Sequence, residues 1–273
     1  MKTIITYLAL LVINFCYSQD IGQLNTSDIS TVFLSSFSTD ADTFIGVDDF
    51  ENYYYLKNNT LYKKTSQKTY SYTNTQFGKI TSVDITNPLK ILLFYRDFNT
   101  FLFVDNQLNE LTSAFNFTTT AFAKNITFVS VSSNNNLWLY SQDDTVLQLW
   151  NHQTKKIQFT SQPLSFYAHD FKAVEQLSSY KECWLIDKNN LLKFNEYGTF
   201  LEAVKIDGYT QLKPFENKYT YIKNKQLFYQ DTVIPLLTID KTEVAVKNYS
   251  VQTNRIYIFD GTKIFVFKII KNK

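Results

Sequence analysis

Residues 183–198 read Cys-Trp-Leu-Ile-Asp-Lys-Asn-Asn-Leu-Leu-Lys-Phe-Asn-Glu-Tyr-Gly, and this stretch decides the fold. The apolar run that ends at Ile186 predicts one strand, and the run that ends at Phe194 predicts a second. The polar residues 187–190 between them predict a tight turn, because Asn, Asp and Gly suit the backbone conformations of short hairpins. Residues 195–198 predict the next turn. The stretch is therefore a strand–turn–strand unit.

The same unit recurs, with variation, about six times along the chain. The last residue before each polar turn is Leu56, Tyr95, Tyr140, Ile186, Ile222 or Phe259. Successive positions are 36 to 46 residues apart, and periods of about 40–50 residues with four short strands each are typical of β-propeller blades. Alternation with period two and the lack of helix caps argue against a helical repeat. We predict an all-β chain that folds as a six-bladed β-propeller.

The two ends of the chain supply the incomplete parts of this predicted ring. Residues 31–37 form a strand candidate with no hairpin partner beside it, and the sixth unit ends at Ile270 without an outer strand. An N-terminal strand that completed the last blade would hide two sheet edges, which otherwise promote aggregation. We therefore expect residues 31–37 to close the ring.

The units resemble those of degenerate β-propeller families of exported bacterial type. Residues 191–198, Leu-Leu-Lys-Phe-Asn-Glu-Tyr-Gly, are similar to the ending of NHL-type repeats, in which a strand is followed by Phe-Asp and a glycine. Trp-Leu-Tyr at 138–140 and Trp-Leu-Ile at 184–186 are similar to the second strands of such blades. The resemblance implies the fold alone, since no Trp-Asp ending, double-glycine kelch signature or Tyr-Trp-Thr-Asp motif is present. No specific family, and no family's functional residues, can be assigned from it.

The N-terminus predicts export. Lys2 is a charged n-region, residues 4–15 are a short apolar h-region, and small residues precede a cleavage site between Ser18 and Gln19. A lipoprotein signal at Cys16 is the main alternative, although Phe15 stands where a small residue is required. A buried N-terminal helix is a weaker alternative. We divide the chain into a signal peptide (1–18), a flexible lead (19–30) and one propeller domain (31–273), which is periplasmic or extracellular.

Composition excludes several classes of function. A net charge of +2 is too small to indicate nucleic-acid binding. The chain contains 24 Phe and 19 Tyr but only 6 Gly, which favours strands over glycine-rich phosphate loops. No later segment has the roughly 20 consecutive apolar residues that a spanning helix needs.

The residues that usually hold metals or cofactors are sparse. His152 and His169 do not have metal-ligand spacing, and Cys183 is interpreted as a small residue of the core. The sequence contains no nucleophile elbow, P-loop, dinucleotide fingerprint or calcium loop. We predict no cofactor and no metal site.

Carboxylates offer the remaining route to catalysis. Asp48-Asp49 and Asp143-Asp144 fall in predicted turns, where Asp is common for backbone reasons. The inner strands are predicted at 79–85, 126–131, 171–177, 209–215 and 244–251. They carry two acids that could face the channel together, Asp84 and Glu175; Asp170 and Glu243 lie at the strand edges.

The aromatic residues have two interpretations. Residues 53–55 are three consecutive tyrosines, so alternation places at least one ring off the core face. Exposed tyrosines are typical of interfaces. Because aromatic residues occur in every unit, we favour core packing over a dedicated binding platform.

These observations favour a binding or scaffold propeller over an enzyme. We expect a protein partner in the cell envelope, as for an accessory subunit of an assembly or secretion complex, and no nucleic acid. The alternative is a glycan-active hydrolase or lyase on the same scaffold. An inner-face cluster of acids around the central channel would favour the enzyme, whereas a channel lined by neutral polar residues, with an apolar patch at its rim, would favour the scaffold.

Export makes the first testable prediction. N-terminal sequencing of the protein from its native cell should begin at Gln19, because the peptidase would cleave after Ser18. An intact Met1 in the mature fraction would contradict export, and a lipid on Cys16 would support the lipoprotein alternative.

Overall fold

The computed structural model describes residues 29–119, 123–215, 218–229, 232–234 and 244–271. These residues form six antiparallel sheets of four strands each, which make a six-bladed β-propeller. The predicted signal peptide with Ser18 and Gln19, residues 19–28 of the predicted lead, and Glu243 lie outside the described residues. No helix in the described ranges is long and apolar enough to cross a membrane.

The strands follow one another with short connections. In chain order they are β1 (Ile29–Ser38), β2 (Thr43–Val47), β3 (Tyr53–Lys57), β4 (Thr60–Lys64), β5 (Thr69–Tyr72), β6 (Ser82–Asp84), β7 (Ile91–Tyr95), β8 (Thr100–Val104), β9 (Phe115–Asn116), β10 (Phe128–Val131), β11 (Asn136–Ser141), β12 (Val146–Asn151), β13 (Lys156–Thr160), β14 (Glu175–Ser178), β15 (Glu182–Ile186), β16 (Asn190–Asn195), β17 (Phe200–Lys205), β18 (Thr210–Phe215), β19 (Lys218–Lys223), β20 (Gln226–Tyr229), β21 (Thr232–Ile234), β22 (Asn248–Gln252), β23 (Arg255–Phe259) and β24 (Lys263–Lys271). The described residues also include two short 3-10 helices, Arg96–Phe98 and Leu164–Phe166.

Each blade contains four strands, which we letter A to D from the channel outward. Blade 1 is β2–β5, blade 2 is β6–β9, blade 3 is β10–β13, blade 4 is β14–β17 and blade 5 is β18–β21. Blade 6 has the order β22, β23, β24, β1. The inner strand β2 and the two-residue outer strand β9 are elements that the sequence pattern did not predict.

The ring closes through the N-terminal strand, as predicted. Strand β1 pairs antiparallel with β24, from Ile29 opposite Lys271 to Ser38 opposite Lys263. Phe33 of β1 packs edge-on against Phe267 of β24, with ring centroids 5.8 Å apart. The strand is longer than the predicted 31–37, so residues 29–30 of the predicted lead belong to it.

The repeated turns are held by Asp and Asn side chains. Asp187 Oδ1 accepts the backbone N–H of Asn189 at 2.7 Å and closes the turn between β15 and β16. Asn195 Oδ1 accepts the N–H groups of Tyr197 and Thr199 at 3.0 and 2.9 Å. Asp105 and Asp260 close other turns in the same way, a usual role for these residues. This use of Asp and Asn is why the motif recurs with the blade period.

The core lies between blades, so both faces of the middle strands are buried. Every residue of β7 and β8 is buried. In β3, Tyr54 is fully buried and packs toward blade 2, whereas Tyr53 and Tyr55 pack partly buried toward blade 6. We expected alternation to place at least one of the tyrosines 53–55 outside the core. This expectation is wrong, because a propeller blade packs against a neighbouring blade on each of its two faces.

Gly198 provides a test of the motif on which the fold prediction depends. Its φ of 91° is a left-handed conformation, and a Cβ built there would overlap the ring of Phe159. Gly198→Ala should lower the free energy of unfolding by about 1–2 kcal/mol through backbone strain, with about 1–3 kcal/mol more through overpacking. Urea denaturation measures the change.

Gly208→Ala is the matched control for this substitution. Gly208 also has a positive φ, of 66°, but its nearest neighbour would be the flexible Lys223 side chain at 3.9 Å. Gly208→Ala should lower the free energy of unfolding only by the part that comes from backbone strain. Equal destabilisation by the two substitutions would mean that the turn does not dock against Phe159.

Candidate functional site

A central cavity of about 400 Å³ runs between the inner strands of all six blades. Its lining is mostly aliphatic or neutral and polar. One representative lining residue from each inner strand, in blade order, is Val47, Val83, Ser130, Ser178, Lys213 and Ser250. The channel is the natural place to look for a site, because side chains from all the blades meet there.

The inner strands have an edge that faces the channel, and side chains of neighbouring blades form hydrogen bonds with backbone groups of this edge. In β10, the Val131 N–H donates to Asp84 Oδ2 at 2.7 Å. The Val131 carbonyl accepts a hydrogen bond from the Ser178 hydroxyl, also at 2.7 Å. Val47 of β2 donates its N–H to Ser250 Oγ at 3.3 Å, and its carbonyl accepts Gln252 Nε2. An inner strand has an unpaired edge, and buried backbone groups need partners. Much of the polar lining therefore holds the blades together.

Asp84 is among the residues that line the cavity, and both of its carboxylate oxygens accept hydrogen bonds. Oδ2 accepts Val131 N–H, and Oδ1 accepts Thr86 N–H at 2.9 Å. Two backbone donors fix the orientation of the carboxylate and tie blade 2 to blade 3. The geometry makes Asp84 a structural clamp between these blades.

Glu175 has a different place from Asp84. It begins β14 and is not among the residues that line the cavity, whereas its neighbour Gln176 is. Gln176 Nε2 donates to Ser130 Oγ of blade 3 at 2.7 Å, so alternation turns Glu175 toward blade 5. Burial raises the pKa of Glu175, and the charge of Lys213 on blade 5 opposes that shift.

Asp48 forms a second clamp, at the first turn of blade 1. It is 4% exposed; Oδ1 accepts the N–H groups of Phe50 and Asn52 at 3.0 and 2.9 Å, and Oδ2 accepts the Tyr54 hydroxyl at 2.8 Å. Burial, followed by the hydrogen bond to Asp48, raises the pKa of Tyr54. Asp49, the next residue, is exposed at the cavity mouth and makes no hydrogen bond to the described residues.

The other predicted residues are structural or lie at the surface. Asp144 lies in the turn after β11 and pairs with Lys124 at 2.7 Å, and Asp143 accepts Asn125 Nδ2 at 3.3 Å. His169 and Asp170 form an exposed pair at 3.0 Å in the loop before β14. Cys183 is fully buried in an apolar cluster, which confirms its core role, and burial raises the pKa of its thiol.

One end of the channel has an apolar rim. The loops that join strand A to strand B in each blade lie on this side, which we call the AB face. Phe50, Leu89 and Tyr180 stand on three of these loops and are 69%, 61% and 44% exposed. Their neighbours Asp49, Pro88 and Ser179 line the cavity. The apolar rim is thus defined by Phe50, Leu89 and Tyr180 around the channel mouth.

Sequence reasoning missed a pair of charged and polar side chains beside this rim. Lys90 Nζ lies 2.9 Å from His152 Nε2, between blades 2 and 3. The two residues are 62 positions apart in the chain, so no local pattern links them. The sequence showed only that His152 follows a strand of the repeated unit, which does not indicate its contact with Lys90.

Comparison with known proteins identifies the fold and no family. No protein-family model matches the sequence, and no curated protein matches it. Among solved structures, virginiamycin B lyase from Staphylococcus aureus is similar, with a TM-score of 0.54 and 11% identity over 89% of this chain and 100% of that one. A streptogramin B lyase has a TM-score of 0.52 and 12% identity, covering 89% and 97% of the two chains.

A protein of another kind is similar to the same extent. The Pan2 WD40 domain of Neurospora crassa has a TM-score of 0.51 and 12% identity over 83% of this chain and 74% of that one. At such identities the likeness shows the propeller fold alone. The neighbours have mixed roles, so the fold leaves the activity open.

The clamp role of Asp84 leads to a testable prediction. Asp84→Asn replaces one acceptor oxygen by an NH2 group and leaves one of two backbone N–H groups without a partner. The free energy of unfolding should fall by about 1–3 kcal/mol, measured by urea denaturation.

Asp49→Asn is the control, because it removes a charge at the same cavity without removing an acceptor that is in use. It should change stability by no more than about 0.5 kcal/mol. An unchanged stability in Asp84→Asn would show that its carboxylate is free in the channel.

Proposed function

We propose that the chain is an exported, NHL-like propeller of the periplasm or cell exterior that binds a protein partner of the cell envelope. It acts as an accessory subunit of an assembly or secretion complex and does not turn over a substrate. The observation that carries this proposal is the engagement of both Asp84 oxygens by backbone N–H groups. A general acid or base must be within reach of the proton it transfers and able to exchange it. Both oxygens of the buried Asp48 carboxylate are engaged as well, Oδ1 by backbone N–H groups and Oδ2 by the Tyr54 hydroxyl.

The apolar rim supports binding at the AB face. Large exposed aromatic and aliphatic side chains around a concave centre are the usual anchors of protein interfaces. Phe50, Leu89 and Tyr180 come from three different blades, so a partner that covers the channel mouth contacts all three. The Tyr180 hydroxyl donates to Thr86 O across the rim at 3.4 Å, which helps to hold its ring in place.

A glycan hydrolase or lyase is the second candidate, and Glu175 favours it. Burial raises the pKa of Glu175, and a raised pKa is the usual property of a carboxylic acid that acts as a general acid. A glycosidase, however, needs two acids that face one cleft, and Asp84 is committed to the backbone. One structural neighbour is a virginiamycin B lyase that is inactive when a single histidine is replaced by Ala. Here His152 is buried against Lys90, and His169 lies in an exposed loop.

The test compares two faces of the same propeller. The triple variant Phe50→Ser, Leu89→Ser, Tyr180→Ser removes the apolar rim. Affinity capture from detergent extracts of native envelopes, quantified by mass spectrometry, should show a loss of at least about tenfold in the specific partner, because such anchors dominate binding energy.

The matched control removes three exposed apolar residues from the opposite face: Phe98→Ser, Phe166→Ser, Val174→Ser. This variant should capture the partner as the unmodified protein does. Equal capture by both variants would contradict binding at the rim. Turnover of envelope glycans by the unmodified protein, lost in Glu175→Gln, would replace the proposal by the enzyme.

A further inference from the structure

A second cavity of about 380 Å³ lies beside the apolar rim, between blades 2 and 3 on the AB face. We call it the lysine pocket. Residues that line it include Asn87, Lys90, Phe103, Ser132, His152 and Tyr180. It shares Tyr180 with the rim but is separate from the central channel, since the two cavities have no lining residue in common. The clamps described above do not use its charged group.

Lys90 is the charge of this pocket. Its Nζ lies 4.4 Å above the centroid of the Phe103 ring and 2.9 Å from His152 Nε2. No carboxylate lies within ion-pairing distance of Lys90 in the part of the chain that the structure describes. Burial lowers the pKa of Lys90, because the buried ammonium has no carboxylate beside it among the described residues.

His152 accepts a hydrogen bond from Lys90 without neutralising its charge. An ammonium group only donates, so His152 Nε2 must be the acceptor, and the ring proton is assigned to Nδ1. Burial, then the charges of Lys90 and Lys155, lower the pKa of His152 to about 4. The imidazole therefore stays neutral at physiological pH. Its ring packs 4.9 Å from that of Phe103, which fixes the position of the acceptor.

The remaining polar lining adds hydrogen-bond donors. The Ser132 hydroxyl is buried, at 4% exposure of the residue, and has no partner among the described residues. The side-chain oxygen of Asn87 accepts Leu89 N–H at 3.0 Å, which leaves its NH2 group to donate. Buried polar groups without partners are costly. Lys90, Ser132 and Asn87 all line this pocket and can donate hydrogen bonds. A ligand that accepts hydrogen bonds and carries negative charge would therefore complement them.

We propose that the lysine pocket binds a carboxylate group. One ammonium group with hydroxyl and amide donors matches the single charge of a carboxylate. A phosphate, with its higher charge, is usually met by several cations or an arginine fork. The Phe103 and His152 rings form a wall against which a planar carboxylate and its carbon stem can pack. The site goes beyond partner binding at the rim, since a small acid can occupy it unaided.

Two sources can supply this group: an acidic side chain of a protein, or a small sugar acid. The experiment titrates the full-length mature protein by calorimetry with two matched pairs of probes. The first pair is a short peptide with a central glutamate and the same peptide with glutamine. The second pair is glucuronate and glucose. Saturable binding of the acidic member of either pair, but not of its neutral match, is the expected result, and the pair that binds identifies the source.

Lys90→Met removes the charge and keeps the aliphatic stem. It should weaken binding of the acidic probe by at least about tenfold, as expected for a charge-assisted hydrogen bond. The control is Lys155→Met: Lys155 lies above the Phe115 and Trp150 rings, affects His152 only at a distance, and does not line the pocket. It should retain binding. Equal loss in both variants, or no binding of any acidic probe, overturns the proposal.

A measurement on the unmodified protein guards against a Lys90→Met variant that fails to fold. NMR of the His152 ring nitrogens reports on the hydrogen bond from Lys90. The acidic probe should shift these signals saturably, whereas its neutral match should not. Unchanged His152 signals at saturation would place the probe elsewhere and overturn the proposal.

Discussion

The structure depends on hydrogen bonds to the backbone groups at the channel-facing edge of the inner strands. Six A strands meet around a cavity, and each has backbone groups that no neighbouring strand pairs. Val131 and Val47 show the solution: the N–H and the carbonyl of each are bound by side chains from adjacent blades. These contacts join blade to blade, as the β1–β24 pairing joins the ends of the chain. Much of the polar lining of the channel is thus engaged in holding the blades together.

Because of this constraint, the proposed binding surface lies on the loops and not on the channel wall. Both faces of the middle strands are buried between blades, and the channel acids Asp84 and Asp48 serve the backbone. The AB face carries two features that these backbone contacts do not occupy: the apolar rim at the channel mouth and the lysine pocket beside it. A scaffold of this kind tolerates variation in its loops, which is how one fold supports different roles.

Much of the fold could be predicted from the sequence, because its signals are local. The turns at Asp187 and at Gly198 predict two successive hairpins, and the recurrence of this pattern along the chain predicts the blades. Strand β2 escaped prediction because a bulge between Phe44 and Gly46 interrupts its alternation. The site was less predictable, since its contacts join distant residues. That Asp84 lines the channel followed from its strand, but its clamp role depends on Val131, 47 residues away. The pairing of Lys90 with His152 depends on the packing of two blades.

Amide hydrogen exchange at Val131 and Val47 tests most directly whether the polar groups of the channel hold the ring. Both N–H groups lie on the inner edge of the ring, where a side chain rather than a neighbouring strand binds them, Asp84 at Val131 and Ser250 at Val47. We predict that they exchange as slowly as amides in the centre of β15, through the opening that unfolds the ring. Exchange as fast as at Asp49, an exposed residue at the mouth of the central cavity, would show that these side chains do not hold the inner edges.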